Sequence, residues 1–150
     1  MPNSYTKLLY HFVCGTKDRR PLISDQWRGE LDRYIGGLVS EKGGELLEIG
    51  GMPDHVHLSI RSRPDISVSD LMCFIKANSS GWIHKEFPAL QPFAWQSGYG
   101  AFSVSHSAIG DVKRYIANQH EHHRIKTFQE ECREFLDRHE MDYDERYLWE

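Results

Sequence analysis

Cysteine is scarce: Cys14, Cys73 and Cys132 stand far apart in 150 residues and form no Cys-x-x-Cys pair. That spacing excludes a zinc ribbon, and an odd number gives no closed disulfide framework, so the three read as small core residues. Long apolar runs are missing as well. The N-terminal one, Leu8 to Cys14, is interrupted by Tyr10 and His11 and is too short and polar for a signal peptide or membrane span. The expected location is therefore the cytoplasm. No repeat, low-complexity stretch or Pro/Gly-rich linker marks a boundary, and 39% hydrophobic with 12% aromatic residues suits one compact domain over 1–150. A basic excess is also lacking. The formal charge of −4 counts against a nucleic-acid binder when read as one number. The distribution qualifies it: from Gln129 to Glu150 the chain carries 9 acidic and 3 basic residues, which leaves a body of net +2 ahead of an acidic helix and tail from about 128. Local basic clusters fall at Lys17/Arg19/Arg20, Arg61/Arg63, Lys113/Arg114 and Arg124/Lys126, and scattered solvated charge is the commoner explanation for any one of them.

What is present alternates strand and helix patterns. Tyr5 to Cys14 is a β-rich run ended by Gly15. Ser24 is placed to cap a helix carrying Trp27, Leu31, Tyr34, Ile35 and Leu38 at helical spacing, with Gly43-Gly44 as its stop. Glu45–Ile49 and His55–Arg61 read as a hairpin through Gly50-Gly51-Met52-Pro53. Ser67 caps a second helix with Val68, Leu71, Ile75, Trp82 and Ile83 inward, and Pro88 ends it. A fourth strand is expected over Phe93–Ser105, kinked at Gly98-Tyr99-Gly100. A third helix follows from about Ser107 to near Gln119, and Thr127 with Glu130 forms a capping box for a fourth over Phe128–His139. The order predicts an α+β fold: a ferredoxin-like antiparallel sheet, β-α-β-β-α-β, with helices on one face and additional C-terminal helices.

Two segments carry chemistry. In Asp54-His55-Val56-His57-Leu58-Ser59-Ile60, period-two alternation puts both imidazoles on one face while Val56, Leu58 and Ile60 enter the core. Two imidazoles on a rigid sheet suit a divalent cation, although without a third partner a polar strand face or hydrogen-bonded core histidines explain the pair better. In Lys113-Arg114-Tyr115-Ile116-Ala117-Asn118-Gln119, Tyr115 and Gln119 lie four apart and share a helical face. Ile109, Val112 and Ile116 make the adjacent apolar stripe that docks this helix.

With these motifs in view, the sequence resembles the HUH-type single-tyrosine transposases of the smallest insertion sequences, the TnpA type, and their REP-associated relatives. The resemblance rests on Pro53-Asp54-His55-Val56-His57, on Lys76-Ala77-Asn78-Ser79-Ser80 with Trp82-Ile83, and on Trp95 through Ser105. It continues in Tyr115-Ile116-Ala117-Asn118-Gln119, His122-His123 and the terminal Tyr143 to Trp149. It implies that His55, His57 and Gln119 hold Mg²⁺ or Mn²⁺ and that Tyr115 is the nucleophile. The activity implied is cleavage and rejoining of single-stranded DNA, with hairpin ends, through a 5′-phosphotyrosine and a free 3′-hydroxyl. It also implies a homodimer whose active sites are shared between subunits.

Other residues compete. His120, His122 and His123 form a dense imidazole group that suits a second metal site, a proton shuttle, a phosphate contact or simply a solvated helix end. Tyr99 rivals Tyr115 but lacks a partner ligand at helical spacing. Trp95, Tyr99 and Phe102 suit stacking on unpaired bases, against ordinary core packing for Trp95 and Phe102. Two other functions stay open on the sequence: a replication initiator or relaxase using the same residues, and a DNA-binding module without catalysis.

Overall fold

The computed structural model describes residues 4–119, 121, 126–144 and 148. Its elements are β1 (Leu8–Gly15), α1 (Arg28–Glu41), β2 (Glu45–Met52), β3 (His55–Ser62), α2 (Val68–Glu86), β4 (Gly100–Ser103), α3 (Ile109–Ala117) and α4 (Phe128–Arg138), with single 3₁₀ turns at 17–19, 88–90 and 106–108. The four strands form one antiparallel sheet in the order β2-β3-β1-β4, the arrangement expected of a ferredoxin-like fold.

Strand alternation divides the side chains between two faces. Phe12, Cys14, Val56, Leu58 and Ile60 face the main core, where Leu31, Ile35 and Val39 of α1 and Leu71, Met72, Ile75 and Ile83 of α2 cover them. The other face carries His11, Val13, His55, His57 and Phe102, which pair or neighbour one another across β1, β3 and β4. There Val13, Phe102 and Phe128 form a second, smaller cluster joined by Cys132, Phe135 and Leu136 of α4. The first two helices thus share one face, as expected, and the two C-terminal ones pack on the opposite face.

Capping explains the helix limits. The Ser67 side chain accepts from the Asp70 N–H and the Thr127 side chain from the Glu130 N–H, which satisfies donors that a first helical turn leaves orphaned. Ser24 acts one step earlier than its sequence position suggests. Its hydroxyl accepts from the Gln26 N–H at 3.2 Å, closing a turn that feeds α1, and the helix itself starts at Arg28 behind Trp27, which makes no side-chain cap. At the far end Gly43 takes φ +76°, a left-handed conformation natural to glycine.

The fourth strand is much shorter than Phe93–Ser105. Trp95 makes only an isolated bridge with Thr16, in which the Gln96 N–H donates to the Gly15 carbonyl at 2.9 Å, and no strand is formed from 96 to 99. The Lys76 ammonium holds this segment by donating to the carbonyls of Gln96 (2.6 Å), Ser97 (3.2 Å) and Gly98 (3.1 Å). Trp95 is buried, with its indole N–H donating to Ser79 Oγ at 2.9 Å, so it packs rather than presenting a stacking face. Phe102 is buried as well, whereas Tyr99 is exposed. The cysteine expectation holds for buried Cys14 and in part for Cys132, which is half-buried against the second cluster, but fails for Cys73, which is exposed because position 73 falls on the outer side of α2. No helix among the described residues is long and apolar enough to cross a membrane.

Candidate metal centre and nucleophile

His55 and His57 are fully buried in the middle of the second face, and each ring is anchored at Nδ1. Asp54 Oδ1 lies 2.7 Å from His55 Nδ1, and His11 Nε2 lies 2.8 Å from His57 Nδ1. A ring held at Nδ1 turns Nε2 inward, as in the carboxylate–histidine pairs that orient metal ligands. Both Nε2 atoms point under α3 and α4. His55 Nε2 is 3.3 Å from Gln119 Oε1, and the Gln119 amide N–H₂ donates to the Tyr115 carbonyl at 3.2 Å, which fixes the amide with its oxygen toward the histidine. His57 Nε2 is 2.7 Å from Glu131 Oε1 of α4. The Tyr115 hydroxyl donates to the other oxygen of the same carboxylate, Glu131 Oε2.

The helix that carries Tyr115 sits unusually close to the sheet. At Gly50 of β2 a Cβ would stand 2.3 Å from the Ile116 carbonyl oxygen, so only glycine admits this approach. Of the apolar stripe read from the sequence, Ile116 is fully buried there, while Ile109 and Val112 are half-buried. The result is a Tyr115 ring 5.7 Å from the His57 ring, edge to face. On the other side Phe128 lies flat on His55, at 4.0 Å and 5° between planes, and roofs the site.

Electrostatics follow from this enclosure. Burial, and after it the neighbouring His57, lowers the His11 pKa to about 3, so His11 is a neutral partner for His57. Burial pushes the Tyr115 hydroxyl well above the usual tyrosine range, and its hydrogen bond to the Glu131 carboxylate and that group's charge push the same way. In this arrangement the hydroxyl stays protonated at neutral pH.

The structure therefore brings together all four residues singled out from the sequence: His55, His57, Tyr115 and Gln119. It also adds three that were not singled out, His11, Asp54 and Glu131. His55, His57 and Glu131 each offer one ligand atom, and the three atoms lie within 4.8 Å of one another. Divalent ions of the Mg²⁺ type hold ligands at about 2.1 Å, which places adjacent ligands about 3 Å apart. The separations of 2.7, 3.3 and 3.7 Å around the two Nε2 atoms bracket that value, so the residues present fit a divalent cation. Tyr99 lies outside this cluster. His120, His122 and His123 lie outside the described residues. Of the basic clusters, Arg61, Arg63, Arg114 and Lys126 each pair with a surface carboxylate, the solvated-charge reading.

A ferredoxin-like sheet with a His-x-His strand facing a helix-borne tyrosine defines the class of single-tyrosine transposases. Residues 4–119 match the IS200-like transposase family, and the chain belongs to it. It is similar to the ISDra2 transposase TnpA of Deinococcus radiodurans, 24% identical over 120 residues covering 77% of this chain and 86% of that one. The transposase of insertion sequence IS200 from Salmonella typhimurium is 26% identical over 121 residues, 77% of this chain and 79% of that one. Among solved structures, a proposed transposase from Deinococcus radiodurans superposes with a TM-score of 0.65 at 29% identity, covering 78% of this chain and 94% of that chain. A REP-associated tyrosine transposase bound to a REP hairpin shares the fold, with a TM-score of 0.59 at 17% identity over 77% of this chain and 68% of that one.

Proposed function

We propose that this transposase cleaves and rejoins single-stranded DNA with Tyr115 as nucleophile and His55, His57 and Gln119 as ligands of Mg²⁺ or Mn²⁺, within a single domain spanning the chain. The observation that carries the reading is the convergence of these four side chains, from β3 and from the α3 segment, on one buried point. Bound there, a divalent cation would polarise the scissile phosphate as a Lewis acid and offset the charge that keeps the tyrosine protonated.

The chain's own residues do the rest. Asp54 and His11 hold the two imidazoles in register, and Gly50 lets α3 lie close enough for Tyr115 to reach them. The Tyr115 oxygen attacks phosphorus as the P–O3′ bond breaks. The new bond is a 5′-phosphotyrosine, the departing oxygen takes a proton to become a free 3′-hydroxyl, and the tyrosine proton is released toward the carboxylate that already accepts its hydrogen bond. The phosphodiester energy stays in the tyrosine ester, so a later 3′-hydroxyl can attack it and rejoin DNA without a nucleotide cofactor. An unpaired, flexible backbone suits a site that must present one phosphate in line to a half-buried tyrosine hydroxyl. The homodimer implied by the family resemblance belongs to the same proposal, and a solution mass of two chains is its test.

The deciding experiment uses an oligonucleotide labelled on the 3′ side of the cut, with Mn²⁺. Wild type should carry the label on a denaturing gel, EDTA should abolish the adduct, and Tyr115→Phe should form none while still folding. An adduct in the Phe variant, or a linkage mapped to Tyr99, would refute the nucleophile. No adduct from wild type on any single strand would favour the non-catalytic module.

A further inference from the structure

We infer that Glu131, on the C-terminal helix beyond the family match, is a further protein ligand of the metal, so that cation binding and docking of α4 are one event. The inference rests on the metal site proposed above. Its ground is the convergence of the ligand atoms. With His55 Nδ1–H donated to Asp54, the His55 Nε2 lone pair faces Gln119 Oε1 at 3.3 Å and Glu131 Oε1 at 3.7 Å. With His57 anchored at Nδ1 by His11, its Nε2 faces the same Glu131 oxygen at 2.7 Å. The Nε2 atoms of both histidines and the Oε1 atoms of Gln119 and Glu131 meet at one point, where His57 Nε2–H donates to Glu131 at 2.7 Å; a cation that displaces this proton would find two imidazole nitrogens and two oxygens already converged on it.

Glu131 is the charged member of that set, and it is 1% exposed. Burying a carboxylate is costly without a counter-charge, and a divalent ion between it and the imidazoles supplies one. The residue also sits where a helix of this kind would normally be apolar: it lies three positions after Phe128 and four before Phe135, on the face that packs against the sheet. The matched family segment ends at residue 119, so a chain cut there keeps His55, His57 and Gln119 and loses the charged ligand. The ligand set changes from neutral to singly negative when α4 is docked. Oε2 meanwhile accepts from the Tyr115 hydroxyl, which makes the carboxylate a bridge between the cation and the nucleophile.

The test reads binding rather than turnover. Full-length protein, stripped with EDTA, is titrated with Mn²⁺ and free ion is followed by electron paramagnetic resonance, in wild type, Glu131→Gln, Glu131→Asp and His57→Ala. Circular dichroism confirms each fold, and hydrogen exchange across 128–138 is measured with and without Mn²⁺. The expected result is an affinity loss of at least tenfold in Glu131→Gln, with Mn²⁺ slowing exchange of α4 in wild type and not in that variant. If Glu131→Gln does not fold, Glu131→Asp, which keeps the charge and shortens the reach, should show the same loss in smaller degree. Binding by folded Glu131→Gln within twofold of wild type, with His57→Ala impaired, overturns the inference and leaves the two-histidine site standing. Wild type that takes up no Mn²⁺ overturns both.

Discussion

Gly50→Ala should slow adduct formation by a distance that can be worked from the backbone. A Cβ at position 50 would lie 2.3 Å from the Ile116 carbonyl oxygen and 3.2 Å from its carbonyl carbon, both main-chain atoms that no rotamer change can move aside. Ordinary contact needs about 3.4 Å, so strand and helix must separate by about 1 Å. Tyr115 is the residue before Ile116 and Gln119 is three after it, so both move with that turn. Overpacking of this kind costs about 1–3 kcal/mol of stability. That range corresponds to a fall in Tm of about 2–4 °C per kcal/mol in a chain of this size. A 1 Å misplacement of a reacting group costs about a hundredfold in rate.

The assay is single-turnover adduct formation on a labelled single strand, with Mn²⁺ saturating, beside a thermal melt of each protein. Gly37→Ala is the control: it sits on the exposed side of α1 with nothing within 4 Å of the added carbon. There the change should stabilise by about 0.5–1 kcal/mol and leave the rate alone. A Gly50→Ala enzyme that melts lower but reacts at the wild-type rate would refute the claim that this contact sets the position of the proposed nucleophile, Tyr115. One that neither melts lower nor reacts slower would refute the close packing itself.

Replacing His11 by Phe keeps a ring among Phe102 and Phe135 but leaves His57 Nδ1 without its 2.8 Å partner, so Mn²⁺ affinity should fall about 10–100-fold in titration. Asp32 on α1 has a buried Oδ1 without a hydrogen-bond partner among the described residues, and burial raises its pKa from 3.8 to about 6. Its native state binds the proton more tightly than the unfolded chain does, so stability should decline as pH rises between those two values and the penalty should be complete above about 6. Asp32→Asn removes that penalty. Because the group is partly solvated, the gain at pH 7 should be only about 1 kcal/mol, seen as a Tm that exceeds wild type at pH 7 and converges with it near pH 4.

Most of the sheet and both large helices were legible because their signals are local. The β2–β3 hairpin, a Ser67 cap and a Pro88 stop need no knowledge of what lies across the molecule, although Gly50 to Met52, read as part of the turn, belong to β2 and pair with His57, Val56 and His55, which leaves the turn at Pro53-Asp54. The fourth strand was overdrawn for the opposite reason: nothing near Gln96 to Gly98 announces that an ammonium twenty residues away will take their carbonyls. His55 and His57 were legible from alternation, and Tyr115 with Gln119 from helical spacing. That the two pairs face each other was not in either pattern and came only with the family resemblance.

The three residues that sequence reasoning passed over show where the limit lies. Asp54 was visible as the neighbour of His55, but its role depends on a ring orientation. His11 shares the histidine face only once β1 is set against β3 in the register that pairs Val13 with His57, and register is a tertiary fact. Glu131 did leave a trace. In the helix that begins at Phe128, residues 128, 132, 135 and 136 form the apolar stripe, and an acid at 131 falls on that stripe rather than opposite it. A carboxylate on the packing face of an otherwise acidic, solvated helix makes little sense as surface charge. It makes physical sense if something positive or protonic waits beneath, and here two imidazoles and a tyrosine hydroxyl do. The acidic tail that argued against DNA binding when counted as net charge thus places one of its charges inside, against His57 and Tyr115. Summed charge therefore misjudged this chain: it counts Glu131 with the solvated acids around it, and the consequence of a carboxylate depends on the face from which it projects.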